Sequence, residues 1–294
     1  MRAKLLLQPW KMLRPLGARG FFNWMPDKLY IHLVYRFELG KNLNLESPKL
    51  FNEKLQWLKI YDQKKEYSSY VDKYEVRQYV ADTIGESYLI PLIGVYEDVS
   101  EIEWDMLPEK FILKCTHGSH CHVISTDRSV LNIEKAKKDL KKWLNRNWFW
   151  FGREWPYKNI KPRIVCEEFI SELSNGPDDH KIMCFNGKPK IIQIHKKNSS
   201  GQQSIDFYDL NGDMLPISKK GFINSDIRKI NISDYKVMLE LATTLARGKK
   251  YLRTDFYNVN GKIYFGEMTF FDSSGFIDFQ PEKANSFLGE LLSL

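Results

Sequence analysis

Cysteine is scarce in this 294-residue chain: there are four, Cys115, Cys121, Cys166 and Cys184, and no CxxC pair. That density excludes a disulfide scaffold and a zinc ribbon, and a reducing, cytoplasmic compartment is the expectation. No apolar run is long enough to span a membrane. At the N terminus Arg2, Lys4 and the Leu5–Leu7 run begin like a targeting segment, but Gln8, Pro9 and Lys11 interrupt it. Internal repeats and low-complexity tracts are missing, as is the GxSxG elbow of a serine hydrolase. An excess of one charge is also weak: 44 basic against 37 acidic residues give +7 with the signs interspersed, mild for a nucleic-acid binder, so that on charge an anionic substrate fits as well as RNA; nucleic acid is not an expected partner.

What is present is 43% hydrophobic residues, enough to bury a sizeable core in two domains or two large lobes. Helical periodicity covers 28–62, broken by Gly40 and Pro48, and a helix over 72–84 opens on Asp72 and closes at Gly85. Tyr88 to Val95 reads as a strand. Phe111-Ile112-Leu113-Lys114 and Val123-Ile124 form a hairpin around a Thr/His/Gly/Ser loop, a charged helix covers 133–150, and Ile164 to Ile170 is a strand carrying acids. After a polar turn at Asn175-Gly176-Pro177, strands near 180–186, 189–196 and 204–209 follow, the first two joined at Asn186-Gly187, then a helix over 234–246. A last hairpin pairs Tyr251–Tyr257 with Lys262–Phe270. Hairpins separated by helices without βαβ alternation predict an α+β chain with two sheet-and-helix lobes and a ligand cleft between them. Boundaries are expected at 1–107, a helical region and lead-in, 108–170, one lobe with a covering loop, and 171–294, the other. Residues 1–25 mix Lys and Arg with Trp10, Phe21, Phe22 and Trp24, which suits either a helix packed on the body or peripheral contact with an anionic membrane.

The chemistry concentrates on the last hairpin, where Arg253-Thr254-Asp255 faces Glu267-Met268-Thr269. Magnesium takes hard oxygen ligands and shares its shell with phosphate, so one carboxylate from each arm suits it against a nucleotide. A two-residue loop at Asn260-Gly261 pairs residue 254 with 267 and puts the acids on opposite faces, so the hairpin needs a bulge or an odd loop to unite them. Taken alone, such acids read as solvated strand positions. Lys114, ending a buried strand before Thr116-His117-Gly118-Ser119, is either a phosphate clamp or a snorkelling lysine. Glu167-Glu168-Phe169-Ile170 supplies an acceptor and an apolar strand end for an adenine. His117, His120 and His122 with Cys121 sit too close on one short loop to fix a tetrahedral metal site.

Further blocks carry a resemblance: Phe51-Asn-Glu-Lys-Leu-Gln-Trp-Leu58, Val71-Asp-Lys-Tyr-Glu-Val-Arg77, Phe111-Ile-Leu-Lys-Cys-Thr-His-Gly-Ser119, Phe151-Gly-Arg-Glu-Trp-Pro-Tyr157, His180-Lys-Ile-Met-Cys-Phe-Asn-Gly187 and Gly261-Lys-Ile-Tyr-Phe-Gly-Glu-Met-Thr269. In order and spacing, from about residue 28 to the end, the chain resembles the ATP-grasp carboxylate-amine ligases, and among them the TupA-like ATP-grasp group linked to bacterial surface polysaccharides. The resemblance implies an ATP-grasp fold clasping ATP. It places Lys73, Lys114 and Lys181 at the phosphates under a loop containing His117, Gly118 and Ser119, and Glu167, Glu168 and the backbone near Ile170 at adenine. Asp255, Glu267 and Thr269 are the implied magnesium ligands, while Arg253, with Lys181, stands at the acyl phosphate and its tetrahedral successor. The implied substrates are a saccharide carboxylate, a uronic acid, and an amino acid or amino alcohol.

Two places depart from that pattern. His120-Cys121-His122 stand where the group carries more glycine, and Asp272-Ser273 stand where Pro and Gly are expected. A glycosyltransferase is a second possibility, although a clear DxD motif is absent; a non-catalytic nucleotide- or saccharide-binding module is a third. The sequence leaves the oligomeric state open.

Overall fold

A computed structural model describes residues 12–170, 178–197 and 202–294; the expected turn at 175–177 and residues 1–11 lie outside these. Two antiparallel sheets dominate. The first joins β1 (Leu92–Tyr96), β2 (Phe111–Cys115), β3 (His122–Ser125) and β4 (Ile164–Glu168) in the order β1-β4-β2-β3. The second joins β5 (Asp179–Phe185), β6 (Lys188–Lys197), β7 (Gln203–Tyr208), β9 (Tyr251–Val259) and β10 (Lys262–Thr269) in the order β10-β9-β5-β6-β7. A small ribbon pairs β8 (Ser218–Lys219) with β11 (Phe279–Gln280). Because β1 pairs with β4, the first sheet reaches ahead of residue 108, and the boundary expected there cuts through it.

Alternation along β5 sorts the core. Cys184 lies against Ala242 of the helix Lys236–Ala246, whose Met238, Ala242 and Leu245 are buried. On the opposite face Phe185 and Tyr251 take the ring of Phe51 at 5.8 and 5.1 Å, which docks the helix Phe51–Tyr61 onto the same sheet. That helix begins because Glu53 folds back to accept the N–H groups of Lys49 and Leu50, at 2.9 and 3.0 Å. Its Phe51, Leu55 and Leu58 are buried, and so is a polar stripe of Asn52, Gln56 and Lys59.

Three expected boundaries shift for local reasons. Asp72 does organise a helix start, accepting the N–H groups of Tyr74 and Glu75, but the regular helix runs only over Val76–Ile84. It is preceded by a short helix, Tyr67–Val71, anchored by Tyr67 stacked on Phe270 at 4.1 Å. The charged helix ends at Leu144 rather than 150, since Asn147 accepts the N–H of Phe149 and starts a separate turn, Phe149–Gly152. The strand foreseen from Tyr88 is shorter, Leu92–Tyr96, because Glu86–Tyr88 is a 3-10 turn.

Candidate active site

The last hairpin meets the condition set by its own sequence. Its loop is the two-residue Asn260-Gly261 turn, and the register runs Lys262↔Val259 to Phe265↔Phe256, then skips Gly266 so that Glu267 stands opposite Asp255. The bulge is tight: a Cβ at Gly266 would meet the Asp255 carbonyl oxygen and the Tyr257 ring at 3.1 Å and push these neighbours aside. The same register continues across the sheet, pairing Asp255 with Lys181, Lys181 with Gln193 and Gln193 with Phe207. One transverse row of side chains therefore reads Glu267, Asp255, Lys181, Gln193 and Phe207, with Arg253 and Thr269 in the next row.

Arg253 is the hub. Its Nε and one terminal nitrogen grip Asp255 at 2.7 and 2.8 Å, its other terminal nitrogen reaches Asp272 at 2.7 Å, and it also donates to Glu267 at 3.2 Å and Thr269 at 3.1 Å. Lys181 pairs with Asp255 and Asp179, and Lys219 with Asp272 at 3.1 Å. Burial alone pushes the Asp255 carboxyl up, but the guanidinium of Arg253 and the ammonium of Lys181 outweigh it and hold the group ionised below the usual range. Asp272 is held down in the same way by Lys219 and Arg253. Sequence reading missed Asp272, Lys219 and Asp179 as members, because only the sheet register and the β8–β11 ribbon bring them here.

Asp272 is delivered by a backbone that few sequences tolerate. Ser273, Ser274 and Gly275 are consecutive left-handed residues, with φ of 49°, 57° and 65°. For the two serines this costs about 1–2 kcal/mol each. The polar stripe of helix Phe51–Tyr61 holds the loop in place: Asn52 donates to the Ile277 carbonyl, Gln56 to those of Ser274 and Gly275, and Lys59 to that of Ser274. The Phe51-to-Leu58 motif thus acts on the site through the loop after β10.

The facing wall of the cleft comes from the first sheet. Glu167 accepts from Lys114 at 2.7 Å and from Arg77 at 3.0 Å, and Lys73 reaches over to the Gly118 carbonyl at 2.6 Å. Lys73, Lys114, Gly118, Ser119 and Glu167 line one cavity together with Arg77, Tyr257 and Glu267. Arg77 lay within a quoted motif, but its pairing with Glu167 had no local signal.

Other expected site residues lie elsewhere. His117 turns away from the cleft, its Nε2 within 3.2 Å of the Trp143 carbonyl, and burial lowers its basicity, so it is a packing residue of the loop. Glu168, one position beyond Glu167, points to the exposed side of β4, and Ile170 lies in the half-buried stretch after it. Neither is part of the cavity lining. Lys181, Arg253, Asp255 and Thr269 form the cluster behind Glu267 rather than the cavity wall itself.

The chain carrying these two sheets and the cleft between them matches, over residues 53–293, a family model described as TupA-like ATPgrasp. The chain belongs to the TupA-like ATP-grasp family. Its fold is accordingly ATP-grasp. No curated protein matches it. Among solved structures it is similar to D-alanine–D-alanine ligase from Helicobacter pylori, with 12% identity, TM-score 0.46, and 82% of this chain and 69% of that one covered. It is also similar to the ATP-complexed D-alanine–D-alanine ligase from Bacillus anthracis, with 15% identity, TM-score 0.41, and 68% and 54% covered. A third is N5-carboxyaminoimidazole ribonucleotide synthetase from Thermus thermophilus, with 12% identity, TM-score 0.41, and 74% and 51% covered. The TupA-like chain spans about half the length of the last two.

Proposed function

We propose that this TupA-like ATP-grasp protein is an ATP-dependent carboxylate-amine ligase whose carboxylate substrate is a uronic acid of a surface polysaccharide or its precursor, joined to an amino acid or amino alcohol. The observation that carries the ligase reading is the Gly266 bulge, which aligns Glu267 and Asp255 beside Arg253 and Lys181 at the edge of a lysine-lined cleft. The uronic acid and the polysaccharide rest on the sequence resemblance.

The donor chemistry suits magnesium. Asp179, Asp255, Glu267 and Asp272 stand against Lys181, Lys219 and Arg253, leaving one formal negative charge over, and the Glu267 side chain is 38% exposed toward the cleft. Among the described residues no three His, Cys, Asp or Glu side chains converge to cage a metal by themselves, so an ion here would need phosphate oxygens or water to complete its shell. Glu267 and Asp255 would hold it, Asp255 releasing one of its present cationic partners to do so. Bound there, magnesium supplies charge neutralisation on the transferring phosphoryl group.

The chain's own groups do the rest by position and charge. Lys73 and Lys114 line the cleft and would take the ATP phosphates, each exchanging a protein acceptor for a phosphate oxygen. The carboxylate oxygen bonds to the γ-phosphorus as the bond to ADP breaks, giving an acyl phosphate. The amine nitrogen then bonds to the acyl carbon, inorganic phosphate leaves and the amine loses its proton to solvent or phosphate. Arg253, fixed by Asp255 and Asp272, offers guanidinium N–H groups to the oxyanion in between. Incubation with ATP, magnesium and a panel of uronic acids and amines, with products read by mass, is expected to give ADP and amide in equal amounts. ADP without amide across the panel would remove the ligase assignment.

A further inference from the structure

We propose that the turn Phe21–Trp24 and the outward face of the helix Asp27–Leu39 form a docking surface for an anionic lipid bilayer. The helix satisfies its folding need on one side, where Tyr30, Ile31, Val34 and Tyr35 are buried. At 100° per residue the opposite side carries Leu29, Leu33 and Phe37 as one stripe and Lys28, His32 and Arg36 as the stripe beside it. Leu29 and Phe37 are 49% and 45% exposed, and in the turn just before the helix Phe21 and Trp24 are 63% and 76% exposed. Packing among the described residues does not account for these apolar groups, and exposed apolar surface of this extent next to Lys28 and Arg36 is what an interfacial helix presents.

The charge arrangement selects the occupant. Arg19, Lys28 and Arg36 are exposed cations of this region, and residues 12–26 contain no acid. The two acids of the helix, Asp27 and Glu38, are drawn to Arg153 and Arg14 at 3.4 and 3.1 Å, so the outward face is left cationic. A second copy of the chain on this face would set these cations against their own kind across a twofold interface, whereas anionic headgroups match them. Trp24, an indole that here donates to the Phe21 carbonyl at 3.2 Å, is a side chain suited to the headgroup layer. The surface precedes the region matched by the family model and shares no residue with the cleft, so it does not depend on the ligase reading.

The test is co-sedimentation of the full chain with vesicles of phosphatidylcholine, with and without phosphatidylglycerol. Binding is expected to be at least about tenfold tighter to the anionic vesicles and to weaken with added salt. The double variant Phe21→Ser/Trp24→Ser should lower it about tenfold. Lys28→Glu/Arg36→Glu should erase the preference for phosphatidylglycerol, and both pairs should stay folded with a thermal midpoint within a few degrees of the parent, since the only bonds they lose, Trp24 to the Phe21 carbonyl and Arg36 to the Gly40 carbonyl, are solvent-exposed. Equal affinity for both vesicles, no binding, or variants that bind like the parent would overturn the proposal. So would a concentration-dependent dimer lost in Phe21→Ser/Trp24→Ser without any vesicle binding, which would assign the face to a second copy.

Discussion

The two walls of the cleft handle charge differently. On the first sheet Glu167 holds two cations, Lys114 and Arg77, whose side chains keep 20% and 16% of their surface exposed, so each can exchange its partner for a ligand. On the second sheet Arg253, Lys181 and Asp255, with Lys219 of the small ribbon and Asp272 of the loop after β10, are buried almost completely and hold one another, with Glu267 as the exposed end. A buried network of this kind contributes little net stability, but it is costly to break and it fixes geometry. On the ligase reading the first wall would bind and release ligand, while the second would hold its geometry and give up only the one Asp255 contact that an ion takes.

The sharpest way to break this contrast is Asp255→Ala, which leaves Arg253 and Lys181 buried without their shared carboxylate. A loss of about 3–5 kcal/mol is expected, read as a fall in the denaturation midpoint together with loss of turnover. Were the variant as stable as the parent, the second wall would not be the fixed element described. Glu267→Ala separates the two properties: turnover should drop about 10²–10³-fold while stability changes by less than about 1 kcal/mol, since its side chain is partly exposed. Substantial turnover in a folded Glu267→Ala protein would exclude it from the reaction.

These expectations divide along what the sequence carries. Both hairpins, the Asn-Gly turns and the need for a bulge were legible, because turn chemistry and side-chain alternation act over a few residues. The family motifs marked Phe51 to Leu58 without revealing its work, since Gln56 and Lys59 act on Ser274, more than 200 positions away. Asp272, Lys219 and Asp179 carried no local signal: their roles exist only once non-local pairing brings β5, β9 and the β8–β11 ribbon together. His117 looked like a loop residue over the phosphates, and its burial against Trp143 depends on packing of a helix well downstream.

Acid should wear down the second lobe. His180, half-buried on β5 beside Tyr235, has its basicity lowered by desolvation from 6.5 to about 4. A histidine kept neutral in the fold favours the native state above its unfolded value, and that contribution is lost as pH falls from 6.5 toward 4. It amounts to at most about 3 kcal/mol. The thermal midpoint should fall as pH is lowered across this window, and His180→Gln should flatten the profile; an unchanged slope would place the acid sensitivity in other groups. On the first wall, Lys114→Met should weaken ATP binding about tenfold, near 1.4 kcal/mol, with little change in stability, and calorimetric titration measures it. Tight ATP binding by that variant would mean that the lysine serves only Glu167.

Carboxylate activation is the central claim, and hydroxylamine tests it without knowledge of the natural amine. With ATP, magnesium and a set of uronic acids, the protein is expected to form a hydroxamate in step with ADP, and Glu267→Ala to form neither. ADP release with no hydroxamate from any carboxylate, or an unimpaired Glu267→Ala protein, would contradict it.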